Sequence, residues 1–353
     1  MKIVFDNIVY SLQRAGGISV VWSNLVTRIL KIFDHVYCIE YQHAEKNISR
    51  KAITIEEDKV EHRNSCMMKV SRYLSPSIQE DSPFIFHSSY FRTCGNSHAV
   101  NVTTVHDFTY ELYVKNPIKR WLHCWQKHRA IRHSDMIVCI SENTKADLFR
   151  FLPDIPHEKV RVIYNGADDV FHVIDGDVTE NFALFVGNRD PYKNFDKIIE
   201  PLAELDIPLR IVGAPLTKRE KELLASFRCQ YEFLGYVSNA ELNRLYNHAY
   251  CLLYPSEYEG FGLPVIEAQK AGCPVIAFNG SSVREIIGDS TLLLQDMSKE
   301  ELLKKIKVLS NPAIRKEVVD KGLGNARKYS WEHMAKLYYQ LYQEIYDKIC
   351  KVS

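Results

Sequence analysis

The sequence predicts an α/β protein of two domains, each built on a sheet of parallel strands. Short apolar runs of strand length recur along the chain, and helix patterns lie between them, the order that generates βαβ units. Glycines, a histidine and carboxylates follow several of these runs directly, at the strand carboxyl ends where open α/β sheets bind ligands. A chain of 353 residues, 46% apolar and 25% charged, has the length for two domains and a globular composition.

Bulk properties narrow the function classes. A net charge of +1 gives no global field for nucleic acid or an anionic surface, so no nucleic-acid partner is expected. The nine cysteines are scattered from Cys38 to Cys350 with no C-x-x-C pair, which predicts reduced thiols in a cytoplasmic compartment. No clustered His/Cys/Asp ligand set stands out, so neither a metal nor a cofactor is expected. The start MKIVF reads as a strand, not the apolar core of a signal peptide, and no run is long enough to span a bilayer.

In the first half, Lys2 to Phe5 reads as a strand, and a helix pattern opens near Ser19. Between them Gly16 and Gly17 either admit a phosphate or sugar beside a helix N-terminus or form a tight turn with a serine cap. The fingerprint G-x-G-x-x-G is absent, which argues against a dinucleotide dehydrogenase. Residues 41–81 are polar and yield no clear elements. Phe84 to His87 and Val102 to Val105 read as buried strands, and His106-Asp107 follows the second. His106 could bond a sugar hydroxyl or serve the structure alone. Residues 115–133 form a basic helix with Trp121 and Trp125 on one face. That pattern suits a membrane surface, or a core-facing aromatic stripe with a solvated basic side. Asp135 to Ile140 is the next strand, Ser141 caps a helix, and Val160 to Tyr164 ends the domain. The irregular acidic stretch 168–180 reads as the linker, giving domains 1–170 and 171–330.

In the second half, Phe182 to Val186 is a strand whose loop carries Arg189 and Lys193 just before a helix pattern. Two cations beside a helix N-terminus suit a diphosphate, the arginine gripping two oxygens at once; surface charge in a turn is the plain alternative. Leu209 to Val212 and Tyr231 to Leu234 are further strands, the latter followed by Tyr236 and Val237. Glu241 to Ala249 is amphipathic. Cys251 to Tyr254 is then a buried strand, Glu257 to Gly262 a loop, Val265 to Ala271 a short helix with Pro264 at its start, and Pro274 to Phe278 the next strand. Gly260 and Gly262 let backbone amides approach a ligand, and Glu259 and Glu267 each offer two oxygens to a sugar or ribose diol.

The run Glu259-Gly-Phe-Gly-Leu-Pro-Val-Ile-Glu267, continued by Ala268 and by Ala-Gly-Cys-Pro-Val-Ile-Ala at 271–277, resembles the E-x7-E signature of family 4 glycosyltransferases. The resemblance extends along essentially the whole chain. It implies the GT-B fold: two Rossmann-like domains facing across a cleft, acceptor side first and donor side second. The helix 331–350 would cross back to the N-terminal domain. It implies that Gly16 and Gly17 face the donor phosphates or the acceptor, that His106 borders the sugar, and that Arg189 and Lys193 neutralise the departing diphosphate. Many relatives carry an arginine directly before that lysine, where this chain has Tyr192. By the same resemblance, Tyr236 and Val237 meet the nucleobase, Glu267 holds the ribose, and Glu259 with Gly260, Phe261, Gly262 and Leu263 holds the donor sugar. Glu259, His106, Arg189 and Lys193 are the expected catalytic set.

The implied activity is retaining, metal-independent hexosyl transfer from a GDP- or UDP-linked sugar to a glycan or lipid-linked acceptor. Its setting would be bacterial surface polysaccharide synthesis, such as O-antigen or capsule, on the cytoplasmic side with peripheral membrane contact through 115–133. A non-catalytic glycosyltransferase-like subunit and a nucleotide-sugar epimerase are the alternatives.

Overall fold

The computed structural model of the chain describes residues 1–64, 68–176 and 179–350. The polypeptide forms two compact units, Met1–Gly166 with Trp331–Ser353, and Ala167–Ser330.

Seven strands make the sheet of the first unit: β1 (Lys2–Asp6), β2 (Val36–Tyr41), β3 (Val60–Arg63), β4 (Phe84–Ser88), β5 (Ala99–Val105), β6 (Met136–Cys139) and β7 (Val160–Val162). All pairs are parallel, in the order β3-β2-β1-β4-β5-β6-β7. The chain builds outward from β1 to one edge and then returns to place β4 on the other side of β1. The strand order therefore reverses between β1 and β4, and the crevice at their carboxyl ends is where such sheets take ligands. Residues 41–81, unreadable in the sequence, supply the end of β2 and the edge strand β3. β3 is half exposed and reads Val-Glu-His-Arg, so it lacks the apolar run that betrays a buried strand. Residues 65–67 of that stretch lie outside the described residues.

The helix Trp331–Cys350 packs in this first unit. Its Tyr342 and Tyr338 are buried, their hydroxyls meeting His87 Nδ1 at 2.7 Å and Thr104 Oγ1 at 2.9 Å, while Glu332 pairs with Arg28 at 2.6 Å.

The second unit carries β8 (Ala183–Val186), β9 (Leu209–Val212), β10 (Tyr231–Gly235), β11 (Cys251–Tyr254), β12 (Val275–Phe278) and β13 (Leu293–Leu294). They are again parallel, in the order β10-β9-β8-β11-β12-β13. Alternate side chains leave opposite faces of a strand, and here each face has its own core. Ala183, Phe185, Cys251 and Leu253 pack with Ile198, Ile199 and Leu202 of the helix Phe195–Glu204. Leu184, Leu252 and Tyr254 pack with Tyr246 of the helix Asn239–His248 and with Val265 and Ala268 of the helix Leu263–Lys270. Order reverses between β8 and β11, so this unit too has a switch point.

The stretch read as a linker belongs to the second unit. Phe171 is buried in its core, and the amides of His172 and Ile174 donate to Asn243 Oδ1 and Asn247 Oδ1 at 3.0 and 2.8 Å. The chain passes between units at Gly166–Ala167 instead. Residues 177 and 178 of that stretch lie outside the described residues. No described helix is long and apolar enough to cross a membrane.

Candidate active site

Two loops meet at the switch point of the second unit, one after β8 and one after β11. Asn194 ties them together. It sits at φ +52° at the start of the helix Phe195–Glu204, and its buried amide donates to Pro255 O and Glu257 Oε1, both at 3.1 Å. The Glu257 amide donates in turn to Tyr192 O at 2.9 Å. This stitching brings Lys193 Nζ onto Glu259 Oε1 in an ion pair whose side chains retain 16% and 14% exposure. Tyr254, behind them, also bonds Glu259, and its hydroxyl is held well above its ordinary range, first by burial and then by that carboxylate.

Arg189 follows another course. Its Nε donates to Glu220 Oε1 at 2.8 Å, and its Nη2 donates to the carbonyls of Ala214 and Pro215 at 2.6 and 2.9 Å. The grip on two diphosphate oxygens expected of Arg189 is therefore corrected: protein groups hold two of its nitrogens, and Nη1 alone is buried without a partner. Glu220 also closes a capping box with Thr217 at the start of the helix Lys218–Ser226. Burial would raise its carboxyl, but the Thr217 amide and hydroxyl and the Arg189 guanidinium outweigh that and hold it below the usual value.

The loop after β11 presents backbone. Gly262 stands at φ +107° as the residue before the helix Leu263–Lys270, a conformation that side chains rarely adopt. Pro264 lies in the first turn, where a missing N–H costs nothing. Phe261 turns its ring into the core, edge-on to Tyr329 at 5.8 Å, so its main chain is what the loop offers. A like demand for glycine operates at the end of β9: a Cβ on Gly213 would lie 2.5 Å from the Gly187 carbonyl oxygen, at φ +136°. At the end of β10, Tyr236 is 72% exposed and Val237 packs partly against the core.

Glu267 lies in the second turn of its helix, which starts at Leu263 and not at Val265 as expected. Its Oε2 accepts from the Tyr246 hydroxyl at 3.3 Å. Burial pushes its carboxyl up to about 7, the Tyr246 bond works against that, and nearby Asp168 adds to it.

In the first unit, Gly16 precedes the helix Gly17–Leu30 at the β1 side of the switch point. Ser19 does not cap that helix; its hydroxyl donates to Gly16 O at 2.9 Å. His106 follows β5. Burial lowers its pKa to about 4, against a smaller opposing pull from Asp107, so the ring is neutral at pH 7. Asp107 Oδ1 accepts from the Thr109 amide at 2.9 Å. The neighbouring main chain is held by Lys127, fully buried, whose Nζ reaches Asp107 O at 2.9 Å and Glu111 Oε2 at 2.6 Å. This overturns the picture of a solvated basic face with core-facing tryptophans. In the helix Pro117–Arg132, Lys127 is inside, while Trp121 and Trp125 are 65% and 44% exposed.

Among the described residues, no group of three or more His, Cys, Asp or Glu side chains is placed to hold a metal ion. The sequence does contain one Asp-x-Asp triplet, Asp175-Gly176-Asp177, in the stretch first read as a linker; Asp177 lies outside the described residues.

Each unit finds a family counterpart. The family model "Glycosyltransferase Family 4" matches residues 15–171, and "Glycosyl transferases group 1" matches residues 167–323. The chain belongs to glycosyltransferase family 4. It is 27% identical to an uncharacterized glycosyltransferase of Methanocaldococcus jannaschii over 98% of this chain and 99% of that protein. It is 29% identical to O-antigen chain mannosyltransferase B of Escherichia coli over 44% of this chain and 43% of the relative. The Anabaena HepE structure in complex with UDP superposes with a TM-score of 0.72 at 14% identity, covering 98% of this chain and 100% of that one. The structure of WaaG, a glycosyltransferase involved in lipopolysaccharide biosynthesis, gives 0.69 at 15% identity, covering 96% and 99%. This family 4 glycosyltransferase has the GT-B fold.

Proposed function

We propose that this glycosyltransferase is a retaining, metal-independent enzyme that transfers a hexosyl group from a nucleoside-diphosphate sugar to a glycan or lipid-linked acceptor in surface polysaccharide assembly. The observation that carries the reading is the Lys193–Glu259 pair at the switch point of the second unit, with a glycine-rich loop and a helix N-terminus beside it. In the resting protein each charge satisfies the other. A donor would divide them: Lys193 takes the diphosphate, while Glu259 and the amides of Gly260 to Gly262 take the sugar hydroxyls. Glu267 receives the ribose through the oxygen that Tyr246 leaves open, and Tyr236 and Val237 meet the base.

As the anomeric bond breaks, negative charge gathers on the departing diphosphate. A cation already fixed beside it, Lys193, stabilises that charge. In the first unit, Gly16 and Gly17 serve the phosphates or acceptor. His106, being neutral, can accept a hydrogen bond from a sugar hydroxyl, or donate one to it, at pH 7. The O-antigen mannosyltransferase and the lipopolysaccharide glycosyltransferase among the similar proteins support the polysaccharide setting, and the UDP complex supports a nucleotide donor.

The outer face of Pro117–Arg132 supports peripheral contact with the inner face of the plasma membrane. Ile118 is 76% exposed beside the exposed tryptophans, with Lys119, Arg120 and Arg129 flanking them. Vesicles containing phosphatidylglycerol should sediment the protein and shift its tryptophan fluorescence, and Trp121→Ala with Trp125→Ala should abolish both; equal binding to neutral vesicles would remove the charged-surface account.

The donor reading is tested by thermal unfolding with UDP, GDP, ADP and CMP, each with and without EDTA. A ligand at a hundred times its Kd stabilises by about 2.7 kcal/mol. One diphosphate should raise Tm regardless of EDTA. No shift with any of them would overturn the site.

A further inference from the structure

We propose that Ser282 is a positioning residue for the donor: a buried hydroxyl that turns the Glu259–Gly262 loop so that two of its amides point away from the core. Ser282 is fully buried and stands directly before the short helix Val283–Ile286. A serine there ordinarily caps its own helix by accepting from the backbone two or three residues on. This one makes no such bond. Its Oγ donates instead across the sheet ends, sharing one proton between Glu259 O at 2.8 Å and Phe261 O at 2.9 Å. Ser281, at φ +46°, adds a third tie by accepting from the Glu259 amide at 2.9 Å.

The consequence follows from peptide geometry. In a trans peptide the carbonyl of one residue and the amide of the next point in opposite directions, and the described chain holds no cis peptide. Drawing the carbonyls of Glu259 and Phe261 toward Ser282 therefore directs the N–H groups of Gly260 and Gly262 the other way. The Gly262 amide, directed so beside the Glu259 carboxylate, fits a hydroxyl oxygen of a hexosyl group. Ser282 touches none of these ligand atoms and acts only through the loop.

The inference rests on the donor reading above. It predicts a split between two parts of the donor: the nucleoside diphosphate is held by Lys193 and Glu267, while the sugar depends on the clasp. The test compares Ser282→Ala, Ser282→Cys and Ser282→Thr with the native protein. Two quantities are measured: nucleoside diphosphate release from GDP-mannose or UDP-glucose, whichever the native protein cleaves, and the Kd of the matching GDP or UDP. Ala and Cys should lower the rate constant about tenfold or more, the scale of one misplaced hydrogen bond. Kd should stay within about twofold, and Thr, which keeps the hydroxyl, should recover activity. If the Ala protein fails to fold, the Cys protein decides. A rate within twofold of native would overturn the role of Ser282 while leaving the donor reading intact. So would parallel losses of rate, Kd and Tm, which would mark a merely structural serine. A native protein that neither binds nor cleaves these compounds withdraws both.

Discussion

Arg189 and Lys193 stand in one loop, beside one helix, and each faces a carboxylate, yet they are built for different work. Arg189 is 4% exposed, its partner Glu220 is 9% exposed, and both are bound into a capping box and two carbonyls. Lys193 and Glu259 keep 16% and 14% exposure. Glu259 sits in the glycine loop, where another ligand can take its place beside the cation. A buried pair with every oxygen satisfied is a structural joint, and a pair at the edge of a loop is a reserve of charge. What separates them is the company each guanidinium or ammonium keeps, not the residue type.

The contrast can be broken in three places. Arg189→Met strands a buried carboxylate at Glu220, which should cost about 3–5 kcal/mol of stability, read as a lower denaturation midpoint. The folded variant should keep most of its affinity for the diphosphate; a variant that unfolds normally but binds none would return Arg189 to the ligand. Lys193→Met should do the reverse. Loss of a charge stabiliser at a leaving group should lower kcat by about 10²–10³, with a smaller fall in Tm than Arg189→Met. An unchanged kcat would end the catalytic role of the pair.

Glu267 supplies the third comparison, a carboxylate with no cation paired to it among the described residues, and the smallest effect. Its folded pKa, near 7, lies above its ordinary 4.5, so the fold binds that proton more tightly than the unfolded chain does. The stabilisation is complete below about pH 4.5 and is lost as pH rises through about 7. Glu267→Gln, neutral throughout, should match the native protein near pH 5 and exceed it by about 1–3 kcal/mol at pH 8 in urea titrations. Equal curves at both pH values would mean that Glu267 titrates normally.

Legibility followed locality. Cys251 to Tyr254 and the glycine loop were readable because an apolar run, a turn and a proline at a helix start act on their own neighbours. Strand β3 was not, since an edge strand with no fully buried position carries polar residues and no continuous apolar run. The buried lysine of the basic helix was missed for a related reason. Charge alone placed Lys127 outside, and only the Asp107 carbonyl and Glu111, brought from another element, make a buried ammonium tolerable.

By itself the sequence determined most of the elements and their order: parallel βαβ units, the E-x7-E run, and the loops holding Gly16, His106, Lys193 and Glu259. Periodicity, turn chemistry and capping are properties of short stretches, and a short stretch carries them wherever it goes. The tertiary structure decided which charges meet. It spent Arg189 on Glu220, set Lys193 against Glu259, gave Tyr246 to Glu267, and turned Ser282 from its own helix to the glycine loop. Those pairings join residues far apart in the chain, and their energies depend on burial and direction, which exist only once the sheet has brought the strand ends together.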